Sequence, residues 1–102
     1  MDQKKTMKSL MIISNAGFSD EVIEIAREEG ARGATIMNAR GEGASREKLM
    51  NITVDSEKEI ILCLVDVESA EQIMTAIKAK VGHGTAANCV CFTMPVDEII
   101  GM

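Results

Sequence analysis

Three groups of residues carry chemistry by their type and spacing. The first is glycine, in two Gly-x-Gly elements, Gly41-Glu42-Gly43 and Gly82-His83-Gly84, the second followed by Thr85. Glycine has no Cβ, so backbone N–H groups beside it can come close to an anion such as a phosphate. Neither element opens a helix after a strand, so neither is a Walker or Rossmann fingerprint, and both also read as plain turn glycines. The second group is sulfur. Cys89-x-Cys91 places two thiols on one face of a strand, with Cys63 on a candidate neighbouring strand and His83 not far away in sequence. Such ligands suit a soft metal, but the spacing is not the Cys-x-x-Cys of a zinc knuckle. The same thiols read otherwise as small buried hydrophobes. The third group is cationic: Arg40, Arg46 and Lys48 flank Ser45 and could grip phosphates or an acidic partner, or simply solvate a loop. His83 reads as a solvated loop residue or an anion contact. No Ser/His/Asp or Cys/His array stands at a recognisable spacing, and no carboxylate pair stands out. The expectation is a binding protein with no catalytic residue and no required cofactor.

These residues need elements to hold them. Ser9 to Ser14 reads as a buried strand, and Asn15-Ala16-Gly17 turns the chain. A helix follows, with Ser19 as its N-cap, Asp20 and Glu21 in the first turn, and Gly30 as its stop. Val22, Ile25 and Ala26 form its inward stripe, and a second strand runs from Ala34 to Ala39. The plan then repeats. Glu59 to Val65 is a strand, Ser69-Ala70-Glu71-Gln72 is a capping box, and Ala70, Ile73, Met74, Ile77 and Val81 share one helix face. Gly82 ends that helix, and Asn88 to Met94 forms the last strand before Pro95. Strand, helix, glycine stop and strand occur twice, which predicts an α+β, ferredoxin-like split βαβ sandwich over residues 1–102 as one domain. Between the halves, residues 40–57 read as a mobile charged loop, within which Met50 to Val54 could form an outlying strand or a hairpin arm.

Composition removes several functions. The chain has 102 residues, a formal charge of −5 and only two aromatics, Phe18 and Phe92. Scattered cations on an acidic chain do not make a phosphate-backbone footprint, and bases would find nothing to stack on, so no nucleic-acid partner is expected. The apolar run Leu10 to Ile13 is too short for a signal peptide or a membrane span. Three cysteines without a secretory signal suit a reducing cytoplasm.

The strands also say something about assembly. Two helices cover one face of a four-stranded sheet, and the other face should then be polar at alternate positions. It is apolar as well: Leu10 and Ile12 alternate with Met11 and Ile13, Ile60, Leu62 and Leu64 alternate with Ile61, Cys63 and Val65, and Val90, Phe92 and Met94 alternate with Cys89, Cys91 and Thr93. A face of that size predicts self-association, with a cyclic trimer as one form.

Four segments in order resemble the PII family of nitrogen-regulatory signalling proteins, in particular its short PII-like members. They are Glu28-Glu29-Gly30-Ala31-Arg32-Gly33-Ala34-Thr35, Ala39-Arg40-Gly41-Glu42-Gly43, Glu57-Lys58-Glu59-Ile60-Ile61, and Phe92-Thr93-Met94-Pro95-Val96-Asp97-Glu98-Ile99-Ile100. The resemblance covers about residues 8–101. It implies a homotrimer with its sheets turned inward, an adenine nucleotide as effector between subunits, and a loop that engages a target such as a membrane transporter or a metabolic enzyme. It assigns the cleft to Thr35, Arg40, Gly41 and Gly43 on one wall and to Gly82, His83, Gly84 and Thr85 on the other, with Ser45, Arg46 and Lys48 in the partner loop. The sequence also departs from the family pattern. Val90 stands where typical members carry a phosphate-binding Lys, Ile100-Gly101-Met102 where they carry Arg-x-Arg, and Ala44 and Ser45 where they carry the Gln that helps bind 2-oxoglutarate. Each missing charge-assisted contact corresponds to about 1.5–3 kcal/mol. Control by tyrosine nucleotidylation is not expected of a chain with no Tyr.

Overall fold

Alternation with a period of two organises the first strand, β1 (Met7–Asn15): Leu10, Ile12 and Ser14 are buried, while Met11 and Ile13 point the other way and are half-covered. In chain order there follow α1 (Ser19–Glu28), β2 (Thr35–Gly41), β3 (Lys48–Leu49), β4 (Ile52–Thr53), β5 (Ser56–Asp66), α2 (Val67–Val81) and β6 (Val90–Pro95). These elements come from a computed structural model, which describes residues 6–41, 48–49, 52–53 and 56–101. The main sheet has the order β2-β5-β1-β6, with every neighbouring pair antiparallel. Its two halves, β1-α1-β2 and β5-α2-β6, give the α+β ferredoxin-like arrangement that the repeated pattern predicts. Among the described residues no helix is long and apolar enough to cross a membrane.

The core lies between the helices and one face of the sheet. Val22, Ile25 and Ala26 of α1 and Ala70, Ile73, Ile77 and Val81 of α2 close over Leu10, Ile12, Ile61, Cys63 and Val65. Each large side chain buried this way contributes about 1.5–3 kcal/mol relative to leaving it in water. The opposite face is as apolar as its alternation requires. Met37, Leu64, Val90, Phe92 and Met94 are each between 38% and 58% exposed in the single chain.

Both helices begin differently from their sequence signals. Ser19 is the first helical residue rather than the cap, and Phe18 occupies the cap position without a side-chain hydrogen bond. The Phe18 carbonyl accepts from Val22 N–H at 3.0 Å and its ring packs on the core, so an apolar contact sets the helix entry. In α2 the helix starts two residues ahead of Ser69. Asp66 is the cap, and its carboxylate accepts from Ser69 N–H at 2.8 Å. A carboxylate at that place also meets the positive end of the helix dipole, so it takes the role assigned to the hydroxyl. The stops agree with expectation. Gly30, at φ +120°, follows α1, and Gly82 follows α2.

β1, β2 and β5 run past their sequence limits, whereas β6 covers Val90–Pro95 rather than Asn88 to Met94, because Asn88, at φ +48°, turns the chain and leaves Cys89 just ahead of the strand. β2 continues through Arg40, paired with Glu57, and Gly41, paired with Ser56. The two ends of the expected 40–57 loop therefore lie in the sheet. Inside it, β3 pairs with β4 in the register Lys48↔Thr53 and Leu49↔Ile52, which places part of the outlying strand. Met50, Asn51 and Val54 lie outside the described residues.

Candidate functional site

β2, β5 and β1 all reach one end of the sheet, where the ladder sets Ala39, Lys58 and Asn15 side by side. The Lys58 ammonium donates to Asn15 Oδ1 at 2.6 Å. The Asn15 amide then donates from Nδ2 to the Ala86 carbonyl at 2.9 Å, and its backbone N–H donates to the Ala87 carbonyl at 2.9 Å. On the other side, the Lys58 stem runs beside Gly41, where an added Cβ would stand 3.4 Å from Lys58 Cγ and Cε. Lys58 and Asn15 thus connect the end of β2 to the turn after α2. Glu59 fixes the adjoining turn by accepting from Gly17 N–H at 3.1 Å.

The turn over residues 82–88 is closed by its own bonds. The Gly82 carbonyl accepts from Thr85 N–H at 3.1 Å and from the Thr85 hydroxyl at 2.7 Å. The same hydroxyl oxygen accepts from Asn88 N–H at 3.2 Å, and Gly84 N–H donates to Asn88 Oδ1 at 3.3 Å. Gly84 lies at φ +90°, where a side chain is strained, which explains a glycine there. Gly82 is needed for a different reason. A Cβ at Gly82 would lie 2.7 Å from the Lys78 carbonyl oxygen.

Of the residues assigned by sequence, Arg40 and Gly41 lie at the end beside Lys58. Gly82, Gly84 and Thr85 form the turn that Asn15 reaches, and His83 is exposed on it. The N–H of Gly84 and the hydroxyl of Thr85 are engaged inside the turn, so a ligand that uses them must displace those bonds. Arg40 stands opposite Glu57, a pairing of unlike charges. Thr35 opens and Gly41 closes the seven residues of β2, which puts them about 20 Å apart, within reach of one ligand only if it is elongated. Lys48 lies in β3. Gly43, Ser45 and Arg46 lie outside the described residues. Sequence reading missed Lys58 and Asn15 as site residues, because only the β1–β5 register brings them together.

The thiols do not assemble as a four-ligand set. Cys63 pairs with Leu10 on one side of β1, and Cys91 pairs with Ile12 on the other, so β1 stands between them. Among the described residues no group of three or more His, Cys, Asp or Glu side chains is placed to hold a metal. Burial raises the pKa of all three thiols. Cys91 is pushed from 9.0 to about 12, by desolvation first and then by the neighbouring Cys89 and Cys63. A raised pKa in the fold means that the folded chain holds its proton more tightly than the unfolded one. The stability this adds is complete below the unfolded thiol's pKa and is lost as pH rises toward about 12. Denaturant midpoints measured from pH 8 upward should fall in that window, and Cys91→Ser should flatten the fall. An unchanged slope in the variant would remove the thiol as its cause.

The sequence profile of the family Nitrogen regulatory protein P-II matches residues 7–102. No curated protein sequence matches the chain. Several solved structures share the fold. A DUF3240 family protein from Shewanella baltica has a TM-score of 0.71 at 16% identity, covering 95% of this chain and 97% of that one. A protein of Thermus thermophilus assigned to PII-like signalling has a TM-score of 0.69 at 20% identity, over 90% and 88% of the two chains. The GlnK–ATP complex of B. subtilis has a TM-score of 0.69 at 16% identity, over 93% and 85%. Likeness at these identities is likeness of fold.

Proposed function

Because the chain belongs to the nitrogen regulatory protein P-II family, we propose that it works as a signal-transducing binding protein rather than as an enzyme. Its copies assemble through the open face of the sheet as a homotrimer, and an adenine nucleotide binds between them. The nucleotide is carried over from the B. subtilis GlnK structure, which holds ATP. The observation in this chain that carries the reading is the Lys58–Asn15 connection, which sets an ammonium between the end of β2 and the glycine turn. Val90 removes a family cation near the start of β6, and Lys58 supplies one at the same end of the sheet. An elongated anion could lie along β2 from Thr35 to Gly41 with its phosphates toward Lys58 and Arg40. Binding would then bias the segment that follows Gly41, with Gly43, Ser45, Arg46 and Lys48, between arrangements that fit or do not fit a target. The target is a protein, either a membrane transporter or a metabolic enzyme, met in the cytoplasm.

Calorimetric titration with AMP, ADP, ATP and cyclic AMP, with the assembled mass determined alongside, tests this reading. Saturable binding near one nucleotide per chain is expected. An intact assembly that takes up none of them would sink the nucleotide reading. Lys58→Met should weaken the nucleotide that binds by about 10- to 100-fold, the equivalent of one charge-assisted contact. The loss should shrink as salt is raised. Equal affinity in the variant would take Lys58 out of the site.

A further inference from the structure

On the helix-covered side of the sheet, beside β6 and α2, lies a cavity of about 380 Å³. Its lining includes Cys89, Cys91, Met74, His83 and Lys78. We propose that this cavity binds one univalent soft metal cation, copper(I) or silver(I), between Cys89 and Cys91, with Met74 as a further sulfur donor.

The geometry favours this over two other fates of a close thiol pair. Same-side residues two apart in extended chain are about 6.6 Å from each other. A disulfide needs Cβ atoms about 3.5–4.5 Å apart, so these two thiols cannot join without moving the backbone. Two collinear metal–thiolate bonds of about 2.3 Å each span about 4.6 Å, a gap that two sulfurs leaning toward each other can meet. Zinc would require a tetrahedral set. No such group of His, Cys, Asp and Glu exists among the described residues. Two thiolates and a thioether instead form the soft set that selects copper(I). The metal keeps its oxidation state. Two S–H protons pass to water as two metal–sulfur bonds form, and the resulting centre carries one negative charge. Lys78, on the same lining, offsets that charge. His83, exposed just after α2, lines the same cavity. The site lies across the sheet from the face assigned to self-association, and it does not depend on nucleotide binding.

The test is a titration of the reduced full chain with copper(I) and with silver(I) against a competing chelator, with bound ions counted by native mass spectrometry. One cation per chain should be retained. Cys89→Ser and Cys91→Ser should each weaken it at least about 100-fold, and Met74→Leu about 10-fold. Cys63→Ser, on the far side of β1, should leave retention unchanged. Cys89 is buried, so X-ray absorption on the copper-loaded unmodified chain provides a check independent of folding. Sulfur neighbours should fill its first shell. Loss of the ion to the chelator, an oxygen- or nitrogen-dominated shell, or equal loss in Cys63→Ser would overturn the assignment.

Discussion

With the chain assembled through its open sheet face as proposed, Leu64→Glu should release single folded chains of 11.0 kDa. The side chain lies on the open sheet face and is 41% exposed before any partner arrives, so the chain tolerates the change on its own. In a symmetric assembly, every copy would bring a carboxylate into an apolar contact. Taking such an ion out of water without a partner costs several kcal/mol, and closed symmetry sets like charges against each other. A cost of about 3 kcal/mol per copy weakens each contact by more than about 100-fold. Sedimentation velocity reads the mass, and circular dichroism should show the same secondary structure as the parent chain. Phe92→Glu, on β6, should act alike. A variant that keeps the parent mass would move the assembly interface away from this face.

Gly82→Val should be the most damaging single change in the glycine turn. The obstruction is backbone: the new Cβ would meet the Lys78 carbonyl oxygen at 2.7 Å, so no side-chain rotation relieves it. Either the last turn of α2 opens or the turn over residues 82–88 shifts. Cys89 N–H, which donates to the Val81 carbonyl at 2.9 Å, must follow, and β6 with it. Strain of this kind costs about 1–3 kcal/mol. The thermal midpoint should then fall by about 4–8 °C for each kcal/mol at this chain length. Gly84→Ala serves as the comparison. Its Cβ would enter open space, so only the positive φ is penalised, and its midpoint should fall less. If Gly84→Ala proved the worse of the two, the steric account of Gly82 would be wrong.

The sequence made the elements legible where burial repeats. The stripe Ala70, Ile73, Met74, Ile77 and Val81 was readable because a helix must bury one side, and all but Met74, which is half-buried at its edge, are buried. The apolar open face followed from counting both parities of the strands. Caps were less legible. Ser69 looks like a cap because hydroxyls cap helices, yet Asp66 offers a stronger acceptor, and only the reach of β5 to Asp66 shows which residue wins. The glycines of the candidate site stood out in the sequence because glycine is informative alone. Lys58 and Asn15 were not, since a lysine and an asparagine 43 positions apart acquire meaning only from a strand register. Thr35, too, needed the strand length to show that it stands at the far end of β2 from Gly41.

Asp66 is both the last residue of β5 and the cap of α2, so strand and helix meet with no slack between them. One residue gained or lost there would rotate the whole of α2 by about 100° and move its apolar stripe off the core. Absorbed in the strand instead, the same change would turn β5 over, sending Ile61, Cys63 and Val65 to the open face. Neither error can be spread over a loop. In descent, this joint should hold its length, because any change of one residue here falls on the core itself.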